Sequence, residues 1–151
     1  MSRLRIVVAD QAEAIFYDSS SLEAAPREVA RISDPLAHLH DRDLVSDRPG
    51  RSYESVGGAR HAIERENNPR HLEAVRFARR IARRLDEGRR KNEYEQLIVV
   101  AGPPFLGVMR EELSGPTRRR VVHEIRKDLV HSPMAALRKH LPASAAELRP
   151  G

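Results

Sequence analysis

The sequence predicts an α/β protein: a mixed β-sheet flanked by helices, in the order β-β-β-loop-α-β-α-β-α. Three observations lead there. Three short strand-like segments crowd into the first 33 residues, a long segment repeats with helical period, and Leu97-Ile98-Val99-Val100-Ala101 is wholly apolar. A continuous apolar run of that length suits a parallel strand buried on both faces.

Leu4-Arg5-Ile6-Val7-Val8-Ala9-Asp10 is short and β-branched and reads as a buried strand. Ala14-Ile15-Phe16-Tyr17-Asp18 follows a brief polar turn and suits a hairpin partner. After a loop ending at Pro26, Glu28-Val29-Ala30-Arg31-Ile32 alternates polar with apolar and completes a three-stranded meander. Residues 34–68 show no period and form a long loop; loops of this length in a domain carry function or are disordered.

Asn68 is placed to cap a helix, with Pro69 at its first position. At 100° per residue, Ala74, Val75, Phe77, Ala78, Ile81, Ala82 and Leu85 share one arc. Arg76, Arg79, Arg80, Arg83 and Arg84 share the opposite arc, and Gly88 stands where a helix ends. A strand over Tyr94–Gly102 leads to Pro103-Pro104 and a short helix with Phe105, Leu106, Val108, Met109 and Leu113. Arg119–Lys127 alternates as a strand with Val121, His123 and Ile125 on one face. Ser132-Pro133 opens a last helix through Leu137 and Leu141. Residues 1–141 are expected to be one domain and 142–151 a frayed tail.

Charge is concentrated in the middle of the chain. The 151 residues carry 27 Lys and Arg against 22 Asp and Glu, for +5 overall and a pI near 10.2. Between Arg60 and Lys91 there are eleven basic residues and five acids, an excess of six. A positive field focused on one element points to a polyanion partner; the alternative is a solvated arginine-rich helix. Aromatics make up 4% and tryptophan is absent, so nucleic acid would be held through phosphates rather than by base stacking. There is no cysteine, which removes disulfides and thiolate metal sites. No apolar run approaches the ~20 residues that span a bilayer, and the start does not read as a signal peptide, so a cytoplasmic location away from membranes is expected.

Several pieces resemble the bacterial family described as "protein required for attachment to host cells". They are the Val-Val-Ala-Asp strand end, Asp47-Arg48-Pro49-Gly50-Arg51, Gly57-Gly58-Ala59-Arg60-His61, Phe77-Ala78, Val99-Val100-Ala101-Gly102-Pro103-Pro104-Phe105-Leu106-Gly107 and Lys127-Asp128-Leu129. That family is in turn similar to the middle domain of archaeal and eukaryotic peptide-chain release factors and of Pelota. The resemblance implies an RNase-H-like fold in which a glycine-rich loop precedes an arginine-rich helix and a strand ends in Ala-Gly-Pro. It further implies an RNA- or ribosome-associated factor, with release, rescue and dormancy all open.

Release factors place Gly-Gly-Gln beside a peptidyl-tRNA ester. Here Gly57-Gly58 is followed by Ala59, whose methyl group neither bonds nor orients water, which points away from ester hydrolysis. Gly57-Gly58 is equally compatible with a plain turn. His61 is the candidate acid or base, and Arg48, Arg51 and Arg60 could clamp phosphate, or pair locally. The Arg76, Arg79, Arg80, Arg83 and Arg84 face would dock on RNA. Asp10 with Asp41, Asp43 and Asp47 could begin a metal-dependent nuclease set, and Lys127-Asp128 reads as an ion pair. His38-Leu39-His40 has no third ligand at metal spacing. No cofactor fingerprint is present, so no metal and no cofactor are expected. The other readings are a non-enzymatic interaction protein affecting host attachment indirectly, and a hydrolase using His61.

Overall fold

β1 (Leu4–Ala9) is buried along its whole length because it runs through the centre of a five-stranded sheet. The computed structural model describes residues 3–37 and 68–150. The sheet order is β3-β2-β1-β4-β5, with β2 at Glu13–Ser19, β3 at Arg27–Ser33, β4 at Gln96–Ala101 and β5 at Val121–Ile125. β1, β2 and β3 form the expected antiparallel meander, while β4 joins β1 and β5 joins β4 in parallel. The sheet is therefore mixed, as the alternation of strands and helices requires.

Side chains alternate between the two faces. Val7, Ala9, Phe16, Leu97, Val99 and Ala101 meet α1 (Pro69–Arg90) and α2 (Phe105–Glu112). Ile6, Val8, Ile15, Ile98 and Val100 meet Ile125, Val130 and Leu137, the last from α4 (Met134–His140). α1 follows its predicted phase: Ala74, Phe77, Ala78, Ile81, Ala82 and Leu85 are buried, with Val75 half-buried. Phe77 lies 6.3 Å from the Phe105 ring and so locks α1 to α2. Asn68 caps α1 as expected, its Oδ1 accepting from the Arg70 amide at 2.7 Å. Among the described residues no helix is long and apolar enough to cross a membrane.

Three local departures have physical causes. α1 does not stop at Gly88; it continues to Arg90, and the left-handed residue after it is Asn92 (φ 59°). Gly88 is instead buried inside the last turn, where Arg5, Glu93 and Tyr94 crowd the place a Cβ would take. Second, Val121 and Ile125 face opposite sides of the sheet. Leu97 pairs with Val121 but Ile98 pairs with His123, so a bulge at Val122 reverses the alternation. The same bulge turns Glu124 toward Arg110 of α2, whose guanidinium binds it with both Nε and Nη2. Third, a short helix not foreseen, α3 (Gly115–Arg118), lies between α2 and β5, its amides capped by Ser114.

Beyond Leu141 the chain makes a 3-10 turn at Ala145–Glu147 and returns to β5. The Glu124 amide donates to Arg149 O at 3.0 Å, and the Arg149 amide donates to His123 Nδ1 at 2.6 Å.

Candidate functional site

The outer face of α1 carries the predicted arginines, and all five are exposed: Arg76, Arg79, Arg80, Arg83 and Arg84. Arg76, Arg79, Arg80 and Arg83 border a groove of about 610 Å³ between α1 and the α2–α3 segment, which Glu73, Asp86, Glu112 and Ser114 also line. Within it Arg79 Nε lies 3.0 Å from Glu112 Oε1, and Arg76 Nη1 lies 3.3 Å from Glu73 Oε1. Arg80 also donates to Ser33 O at 3.1 Å and sits 5.4 Å from the Phe77 ring centre. The Arg84 guanidinium lies 5.7 Å from the Phe16 ring. Among the described residues Arg83 has neither ion pair nor hydrogen bond.

These partners orient the guanidinium groups without consuming them. An ion pair at the surface contributes about 0–1 kcal/mol, so a phosphate can displace Glu112 from Arg79 at small cost. Over the rings of Phe16 and Phe77, Arg84 and the N–H groups of Arg80 that do not bind Ser33 O can meet a ligand.

The floor of the groove is a polar knot that sequence reading missed. Asp86 Oδ1 accepts from Arg89 Nη2 at 2.8 Å, Ser114 Oγ at 2.9 Å and Thr117 Oγ1 at 3.2 Å, and Arg90 holds its other oxygen. The hydrogen bond from Arg89 leads the set that holds the Asp86 carboxyl below the usual range. The legible signal was Ser114-Gly115-Pro116-Thr117, a capping serine followed by proline. Ser114, the cap of α3, thereby stands with Glu112 on the side of the groove opposite α1.

A second cleft, of about 420 Å³, opens at the carboxyl ends of β1 and β4, lined by Asp10, Gln11, Gly102, Asp128 and His131. Asp10 Oδ1 accepts from the Ala12 and Glu13 amides at 2.8 and 2.7 Å, so it builds the β1–β2 turn. His131 Nε2 stays 3.9 Å from both Asp10 Oδ2 and Glu13 Oε1, beyond hydrogen-bond reach. Among the described residues no three imidazoles or carboxylates gather in a metal-ligating set. The expected Lys127–Asp128 ion pair does not form. Instead Asp128 packs on Gly102, where a Cβ would lie 3.3 Å from the Asp128 Cβ. Arg48, Arg51, Gly57, Gly58, Ala59, Arg60 and His61 lie outside the described residues, as do His38, His40, Asp41, Asp43 and Asp47.

A family model described as "Protein required for attachment to host cells" matches residues 5–141. An uncharacterized protein of Rickettsia prowazekii (strain Madrid E) is 25% identical over 136 residues, which is 89% of each chain.

Proposed function

The chain belongs to the family described as "Protein required for attachment to host cells", and from that premise we propose that it acts as an RNA-docking factor of the ribosome, related to the release-factor middle domain, with the outer face of α1 as its phosphate-binding surface. The observation that carries the reading is the set of five exposed guanidinium groups on one helix, four of them bordering one groove, where Arg79 is held by an ion pair that a phosphate can replace. An antiparallel meander running into two parallel crossovers accords with the RNase-H-like comparison. With aromatics at 4% of the chain, recognition is of the backbone and independent of base sequence.

Titration of a single-stranded RNA oligonucleotide at several salt concentrations tests this. Four or five phosphate contacts should give a log–log slope of roughly −3. A flat dependence, or no binding at low salt, removes the reading; ribosome pelleting then separates ribosomal RNA from other RNA targets.

A further inference from the structure

A pocket of about 590 Å³ opens at the amino end of β1, beside the β2–β3 loop, and none of the five α1 arginines lines it. Its charged lining is Arg3, Arg5 and Arg27 against Asp18 and Glu93, three cations to two carboxylates. The strand register sets Arg5, Asp18 and Arg27 side by side across β1, β2 and β3. Buried Arg5 takes both oxygens of Asp18 and one of Glu93. Arg3 and Arg27 are exposed, and among the described residues their guanidinium groups have neither ion pair nor hydrogen bond. Both stand on fixed backbone. The Arg3 amide donates to Glu95 Oε1 at 3.0 Å, and its carbonyl accepts from the Glu95 and Gln96 amides at 2.9 and 3.1 Å. Arg27 follows the buried Pro26 and opens β3 opposite Asp18. The loop at the rim is folded on Ser19, whose Oγ donates to Ser21 O at 2.7 Å. That leaves the exposed Ser20 hydroxyl lining the pocket without a partner among the described residues.

We propose that this pocket binds a small soluble phosphate monoester, with Arg3 and Arg27 gripping the phosphate and the Ser20 hydroxyl donating to it. Forked guanidinium N–H groups match phosphate oxygens in geometry. Two of them also match a monoester phosphate in charge, which is about −1.5 to −2 at neutral pH. Asp18 turns both oxygens to Arg5 rather than to the ligand, so the row keeps an excess of one positive charge. A like-charged neighbour repels Arg27 from Arg5 across the sheet, and an anion entering the pocket relieves that repulsion. The volume suits a metabolite or mononucleotide, since small-molecule sites run from roughly 300 to 1,000 Å³. This site is independent of the RNA reading, which concerns the other end of the arginine-rich helix.

Amide NMR of the intact chain at constant ionic strength tests this, with adenosine monophosphate as the probe and adenosine and chloride as controls. The monophosphate should shift the Arg3 amide and those of residues 19–27 saturably, and adenosine should not. Arg3→Gln and Arg27→Gln keep the side-chain stem and remove the charge. Each should weaken binding about tenfold, the size of one charge-assisted hydrogen bond, and the two together should abolish it. Arg119→Gln with Arg126→Gln removes the same charge from exposed positions outside the pocket and should leave binding unchanged. Shifts that chloride or adenosine reproduces overturn the proposal. So does binding that survives the Arg3 and Arg27 pair of changes, or that falls equally with the Arg119 and Arg126 pair.

Discussion

Arg5 passes so close to Gly88 that a methyl group there would stand 2.7 Å from Arg5 Nη1. The guanidinium cannot step aside. Its Nε and Nη2 hold both oxygens of Asp18 at 2.7 and 2.9 Å, Nη1 reaches Glu93 at 3.2 Å, and the group lies 5.2 Å over the Tyr94 ring. Burial opposes its charge, and Asp18 and Glu93 outweigh that and hold Arg5 above its usual range. The end of α1 is thus fastened to β1 and β2 by one buried cation.

Gly88→Ala should therefore destabilise the protein although alanine is the better helix former. The helical gain of about 1 kcal/mol is outweighed by displacement of a buried, paired arginine, and we expect a net loss of about 1–2 kcal/mol in urea unfolding. Arg5→Ala should cost about 2–3 kcal/mol, below the full value for a buried pair because Asp18 and Glu93 keep partial contact with water. A Gly88→Ala variant more stable than wild type would show that Arg5 is free to move.

The two faces of α1 should respond in opposite ways to truncation. Ile81 is completely buried, and Ile81→Ala should cost roughly 2–5 kcal/mol. Arg83→Ala should stay within about 0.5 kcal/mol, since the side chain is exposed and has no partner among the described residues.

RNA binding should invert that order. Arg83→Glu with Arg84→Glu should weaken oligonucleotide binding and shorten the salt slope by roughly 1–2, with the melting temperature nearly unchanged. Ile81→Val, at the same level of the helix, should leave the slope as it is. Equal slopes for both variants would place the phosphate contacts elsewhere.

Acid should loosen the C-terminal segment before the rest of the fold. His123 Nδ1 accepts the Arg149 amide, which only a neutral ring with its proton on Nε2 can do. Burial, then the nearby Arg149 charge, lower the His123 pKa below its ordinary value of about 6.5. A folded value below the unfolded one means the contribution is present above pH ~6.5 and lost as pH falls through the folded value. Amide exchange at Arg149, corrected for intrinsic rates, should rise in that window while amides of β1 stay protected.

The elements legible in the sequence were those whose pattern is local. The arc of Phe77, Ile81 and Leu85 and the Asn68-Pro69 start define α1 without reference to anything else. Features that depend on a distant partner were not legible. Gly88 looks like a helix end until Arg5, some eighty positions away, is known to lie on it. Val122 looks like one more residue of an alternating strand until its register with β4 shows the bulge. Glu73 stands four residues before Phe77 and hence on the buried side, a signal its charge disguised. The arginine face was readable as a surface; its groove was not, because Glu112 and Ser114 supply the opposite wall.

The return of the last residues to β5 has a consequence for how molecules meet one another. β3 and β5 are the two edges of the sheet, and an open edge is a template on which a second chain can add strands and begin a fibril. On β5 the Glu124 amide is already taken by Arg149. On β3 the pairing with β2 slips at Val29, and Arg27, Glu28 and Arg31 place charge along the strand. A bent, charged border and a self-occupied one make poor seeds, so the same chain that fills its own edge also restrains its self-assembly.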